Sequence, residues 1–118
     1  MDDNIIVKNG AGNIAVVSLV YQTIGTANGN DINKQIGTLI KSGKNKLVLN
    51  LESVKNANSF GLSLFFRIKN TLKESGGDLV IINISDRMQE LLKTAGLFDY
   101  FEFRNDEKSA IEFLSKSI

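Results

Sequence analysis

Five residues of this 118-residue chain, Asn58-Ser59-Phe60-Gly61-Leu62, place one small hydroxyl where chemistry can reach it. An apolar run, Leu47-Val48-Leu49-Asn50-Leu51, comes before them and leads into a short polar turn; from Gly61 onward the apolar residues fall at helical spacing. That order puts Ser59 at a helix N-terminus just beyond a buried strand. Exposed amides and the positive end of the helix dipole favour a negative group there, so a phosphate on Ser59 would be stabilised. The plain structural alternative makes Ser59 an N-cap, its oxygen accepting from a first-turn amide for about 1 kcal/mol. The two roles are compatible. Asn58 beside it reads as a turn-former.

The residues that are missing narrow the chemistry further. The chain has no His and no Cys, which removes the usual nucleophile–base pairs and nearly all zinc or copper sites. A receiver domain that accepts phosphate on Asp would need that Asp at the end of a central strand, with acidic companions to hold Mg²⁺. Here the central strand ends Asn50-Leu51-Glu52, with no acidic pair earlier. We therefore expect a protein that works by binding rather than catalysis, with no metal and no cofactor.

Fourteen basic and thirteen acidic residues leave a net charge of +1, and neither sign forms a long block. Nucleic acid and anionic membrane both reward a concentrated basic face, so neither is expected as a partner. The apolar runs are too short to span a bilayer. The start, Met1-Asp2-Asp3-Asn4, lacks the basic-then-apolar order of a signal peptide. With no cysteine to pair, a reducing cytoplasm is the expected home.

The elements that must position Ser59 follow from periodicity. Residues 4–8 and 13–20 read as β-branched strands joined by the turn Asn9-Gly10-Ala11-Gly12. That Gly-Ala-Gly opens no helix, so it lacks the geometry of a nucleotide-binding loop. Residues 21–30 are polar and glycine-containing, a surface loop. From Asn30 or Asp31 a helix carries Ile32, Ile36, Leu39 and Ile40 on one stripe, with Gly43 at its C-cap. A strand over 47–51, apolar on both faces except at Asn50, belongs in the middle of a sheet.

The helix from Ser59 to Glu74 puts Gly61, Leu64, Phe65, Ile68 and Leu72 on one face. Leu62 and Phe66 lie off it, beside Lys69 and Lys73; they read either as a broadened core stripe or as a partner-binding patch. The two lysines read as solvating a helix face. After Ser75-Gly76-Gly77 come a buried strand at 79–84 and a helix with a capping box at Asp86 and Gln89. That helix carries Met88, Leu91, Leu92 and Ala95 and closes at Gly96. A short strand at 101–103 leads to a last helix capped by Asp106, with Ala110, Phe113 and Leu114 inward.

The order ββαβαβαβα predicts one α/β domain over residues 1–118. It should have a mixed central sheet of about four to five strands, about four helices packed on it, and the early hairpin at one edge.

From about Lys46 to Tyr100 the chain resembles STAS domains, the anti-sigma factor antagonist family. Residues 46–51 followed by Val54 resemble the family's buried strand. Asn58-Ser59-Phe60-Gly61-Leu62 stands where the family has Asp-Ser-Ser/Thr-Gly-Leu. Gly76-Gly77-Asp78 with the strand after it, and Leu91-Leu92-Lys93-Thr94-Ala95-Gly96-Leu97-Phe98, resemble its glycine turn, strand, and helix ending in Thr-Gly-Leu. Three departures stand out. Asn58 replaces the Asp, Phe60 replaces a small hydroxyl residue, and no acidic residue lies in 21–30, where many relatives carry a Gly-Glu-Leu-Asp-like segment.

The resemblance implies a partner switch. The unphosphorylated domain binds a kinase-like anti-sigma factor or switch protein; that kinase phosphorylates Ser59 and the complex dissociates; a phosphatase resets it. Asn58, Ser59, Phe60, Leu62 and Phe66 would form the partner-binding surface, on a monomer or weak dimer. The alternative is a non-switching scaffold or ligand-binding module of a larger signalling or transport complex.

Overall fold

Three parallel strands form the core of the sheet because their residues are apolar on both faces. In the computed structural model, which describes residues 4–116, β2 (Ile14–Leu19), β4 (Lys46–Asn50) and β6 (Asp78–Ile82) lie side by side. Alternation sends Ala15, Val17, Leu47, Leu49, Leu79 and Ile81 to one face and Ile14, Val16, Val48, Val80 and Ile82 to the other. β1 (Ile5–Asn9) adds an antiparallel edge next to β2, and β7 (Glu102–Arg104) adds a parallel edge next to β6. The sheet order is β1-β2-β4-β6-β7, with the strand that leads to Ser59 at its centre.

Helices cover both faces. α1 (Thr26–Lys41), α2 (Ser59–Glu74) and α3 (Asp86–Thr94) bury Ile32, Ile36, Leu64, Phe65, Ile68, Leu72, Met88 and Leu92 over one side. α4 (Glu107–Lys116) closes the other with Ala110 and Leu114. Its N-cap is Asp106, whose carboxylate accepts from the Ser109 amide at 2.8 Å and the Ser109 hydroxyl at 2.6 Å. Those two bonds hold the Asp106 carboxyl below the usual carboxylate range. The expected ββαβαβαβα order, mixed sheet and four helices are all present. Met1, Asp2 and Asp3, where a leader was sought in the sequence, lie outside the described residues.

Four local expectations are corrected. α1 starts at Thr26, not at Asn30 or Asp31, so the loop at 21–30 is largely helix and strand. Two short segments, β3 (Thr23–Ile24) and β5 (Asn56–Ala57), pair in parallel as a separate two-stranded sheet. The cap of α3 is Ser85, whose Oγ accepts from the Met88 amide at 3.1 Å, and Asp86 sits in the first turn. Ala95, counted with the inward residues of α3, is exposed past the end of that helix.

Lys69 does not solvate a helix face. Its side chain is only 11% exposed and its ammonium lies 3.3 Å from Asp78 Oδ1, while the more open Lys73 approaches Asp78 Oδ2 at 3.7 Å. Asp78 Oδ1 also accepts from the Leu79 amide at 2.7 Å. A buried carboxylate is tolerated only when charge and hydrogen bonds replace water, and this one has both. The pair ties the C-terminal half of α2 to the first residue of β6. Asp78→Ala strands the Lys69 ammonium in a nearly closed site, so we expect a loss of about 3–5 kcal/mol in unfolding free energy, measured by urea denaturation.

Candidate functional site

The site is built where α2 begins. Asn58, in an extended conformation, is the N-cap: its Oδ1 accepts from the Gly61 amide at 3.0 Å and its carbonyl accepts from the Leu62 amide at 3.0 Å. This is the role that sequence reading offered to Ser59. Ser59 is instead the first residue of the helix, exposed, with its hydroxyl left out of the capping bond. The Ser59 and Phe60 amides have no acceptor within the helix, and no acidic residue stands in the first turn. A negative group on the Ser59 hydroxyl would meet only favourable partial charge from its own helix.

A second helix end lies next to the first. Gly25 is the N-cap of α1, whose first turn also contains no acid. A Cβ built on Gly25 would lie 3.1 Å from Asn58 Nδ2, so the two caps touch. Asn28 fixes this corner: its Oδ1 accepts from the Gly25 amide at 2.8 Å and its Nδ2 donates to the Thr23 carbonyl at 2.7 Å. The β3–β5 pairing holds the starts of α1 and α2 side by side, and the Asn58 amide donates to the Ile24 carbonyl at 3.2 Å.

The remaining site residues divide between surface and interior. Phe60 is half-buried. Its ring packs on Gly29 of α1, where a Cβ would come within 2.6 Å of Phe60 Cε2, and the Arg67 guanidinium lies 5.5 Å from its centroid. Part of the ring is thus committed to internal packing, and only the rest is open. Leu62 is likewise partly buried against the core. Phe66 stands out at 36% exposure, four residues beyond Leu62, its ring 4.7 Å from that of Tyr100. Tyr100 in turn donates a hydrogen bond to Asn70 Oδ1. Ser59, Leu62 and Phe66 form one ridge along the outer side of α2, Asn58 caps its start, and Phe60 leaves on the flank that faces α1.

Reading the sequence alone missed Gly25, Asn28 and Tyr100. Gly25 and Asn28 were hidden because Gly and Asn signal loop, although Asn three residues after a cap position can serve a helix start. Tyr100 joins the ridge only through the fold.

A separate cleft of about 280 Å³ lies at the C-terminal ends of β6 and β7, lined by residues including Asn83, Gln89, Phe98, Phe103 and Arg104. Asn58, Ser59, Phe60, Leu62 and Phe66 do not line it. No helix among the described residues is long and apolar enough to cross a membrane.

The chain thus forms a single α/β domain with a mixed five-stranded sheet and a serine presented at the start of its second helix. The STAS domain family model matches residues 6–110, and the chain belongs to that family. A Bordetella bronchiseptica protein provisionally named anti-sigma factor antagonist BtrV is 19% identical over 95 residues, covering 80% of this chain and 82% of that protein. The anti-sigma factor antagonist SpoIIAA in its unphosphorylated form superposes with a TM-score of 0.80 at 18% identity, covering 97% of this chain and 98% of that one. The phosphorylated form of the Bacillus protein gives 0.71 at 17% identity, covering 92% and 97%. A murine anion transporter, Slc26a9, matches with a TM-score of 0.74 at 14% identity over 91% of this chain but 18% of its own. The chain is an anti-sigma factor antagonist-like STAS domain.

Gly61 is the tightest point of the site. A Cβ there would lie 2.6 Å from the Ile24 carbonyl oxygen and 3.1 Å from its carbon, a backbone contact with little room to give. Gly61→Ala should therefore destabilise the domain by about 1–3 kcal/mol despite the better helix propensity of Ala. Chemical denaturation measures the loss, and an unchanged midpoint would count against the close approach.

Proposed function

We propose that this domain is a partner-switching antagonist: its unphosphorylated form binds a kinase-like anti-sigma factor or switch protein through the start and outer ridge of α2, and phosphorylation of Ser59 releases it. A phosphatase would reset the cycle. The protein acts by binding rather than catalysis and needs no cofactor. The observation that carries this reading is the exposed Ser59 hydroxyl, free of the capping bond, at a helix start that contains no acid. Phosphorylation there adds a near-dianion that the free domain accommodates without refolding. Inside a packed interface the same group costs desolvation and repels acidic neighbours, so the two states separate by affinity. The likeness to an antagonist seen in both unphosphorylated and phosphorylated forms supports the reading.

Asn58 fits this scheme. It keeps the capping bond that the family's Asp would supply while carrying no charge to repel a phosphate one residue away. The open part of Phe60 and the exposed ring of Phe66 supply aromatic anchors of the kind that dominate interface energy.

One observation favours the second reading, a non-switching scaffold or ligand-binding module. The cleft at the ends of β6 and β7 combines aromatic walls with Arg104 and three amide side chains, and it is separate from Ser59. Mass spectrometry of the protein from its native cell separates the two readings by whether Ser59 carries phosphate.

The switch is tested by titrating wild type, Ser59→Asp, Ser59→Ala and the phosphorylated protein against the anti-sigma factor encoded nearest to it. Phosphorylation should weaken binding about 5- to 150-fold, as expected for a coupling of about 1–3 kcal/mol. Asp should weaken it less, because it carries one charge where phosphoserine carries nearly two. Ser59→Ala should bind like wild type and resist kinase-driven release. Equal affinities for wild type, Asp variant and phosphoprotein would overturn the switch.

A further inference from the structure

Three of the four large apolar side chains left exposed among the described residues gather at one edge of the sheet: Ile6 at 53%, Val7 at 36% and Val20 at 42%. Ile6 and Val7 belong to β1, of whose five residues only Ile5 is buried. The hairpin register settles which way the β1 backbone points. Val20 donates its amide to the Asn4 carbonyl at 2.7 Å, and Gly10 donates to the Ile14 carbonyl at 2.8 Å. With Ile6 opposite Ser18 and Lys8 opposite Val16, the even-numbered residues bond to β2. The amides and carbonyls of Ile5, Val7 and Asn9 therefore point outward, away from the sheet. Such an edge is a template for another strand; among the described residues β1 is neither bulged, covered by another element nor broken by proline, and Lys8 is its one charged guard.

We propose that β1 is a self-association edge, pairing antiparallel with β1 of a second copy about a two-fold axis at Val7 to give a continuous ten-stranded sheet. The strand is complementary to itself in that register. The outward groups of Ile5, Val7 and Asn9 meet those of Asn9, Val7 and Ile5 of the second copy, so all three positions are paired. Ile6 falls opposite Lys8 of the second copy, whose aliphatic stem covers the exposed isoleucine. Lys8 is the only charged residue of β1. It never stands opposite itself in this register, and its ammonium is already neutralised by Glu107 at 2.6 Å. Val20 lies diagonal to Ile6 on the same sheet face and extends the covered apolar strip.

A pair of five-residue strands buries well under the roughly 1,200 Å² of a standard interface, so the dimer is weak and depends on concentration. β2 separates this edge from β4, the strand leading to Ser59. Each dimer therefore presents two Ser59 sites, whatever the outcome of the switching test.

Sedimentation equilibrium across about 5 µM to about 1 mM reads the association directly. Wild type should move from monomer to dimer over that range. Val7→Pro removes only an outward amide and leaves the β1–β2 ladder whole, while Val7→Lys sets two like charges face to face across the axis. Both should stay monomeric with the far-ultraviolet spectrum of wild type. The chain has no cysteine, so Val7→Cys offers a second measurement. Under mild oxidation it should form an inter-chain disulfide at least tenfold faster than Glu112→Cys on the exposed side of α4. A wild type that remains monomeric at the highest concentration would overturn the proposal and leave the edge to a strand of a different protein. Dimerisation equal in wild type and both Val7 variants, or equal disulfide rates for the two cysteines, would place the contact elsewhere and overturn it as well.

Discussion

The approach of Gly61 to the Ile24 carbonyl sets the position of everything at the site. Because no Cβ intervenes, the first turn of α2 rests directly on the backbone of β3. The Asn58 amide can then bond the Ile24 carbonyl, and the Asn58 side chain is free to cap its own helix. Ser59 is left on the outside of this junction with nothing to do for the fold. A residue with no structural duty can change its charge without changing the fold, which is the requirement for a switch that acts by affinity alone.

The same junction concentrates electrostatic sign. Two helices begin at adjacent caps, both without an acidic residue in the first turn, so their partial positive charges add over one small area. Phe60, packed on Gly29, keeps α1 and α2 in register beside it. At the other end of α2, the Lys69–Asp78 pair and its hydrogen bond to Leu79 anchor the helix to the start of β6. Contacts at both ends thus hold α2 against the sheet.

The two edges of the sheet are treated differently. β7 is short, and its partly buried residues are enclosed by aromatic stacking of Phe103 with Phe98 and by Arg104 over Phe113. β1 is longer and largely bare. An α/β domain whose helices lie over the faces of its sheet leaves edges as the remaining unsatisfied surface.

The order of elements along the chain, the central place of β4 and most of the core were legible in the sequence because each rests on a local repeat. Period-two and continuous apolar runs mark β2, β4 and β6, and the 3.6-residue stripe of Leu64, Phe65, Ile68 and Leu72 marks α2, all without reference to the rest of the chain. The placement of Ser59 at a helix start, and of Gly61 on the inward face of that helix, came from the same patterns. What only the tertiary structure decided depends on contacts between segments far apart in the chain. Residues 23–29 look like loop because Gly25, Asn28 and Gly29 are poor helix residues. Asn28 repays this by bonding the Gly25 amide and the Thr23 carbonyl, and Gly29 by receiving the ring of Phe60. Lys69 reads as a solvated lysine until Asp78, nine residues on, folds back beside it. The capping role passed from Ser59 to Asn58 for the same reason: either side chain can bond a first-turn amide, and the choice was made by Ile24, which holds the Asn58 backbone in the extended conformation a cap requires.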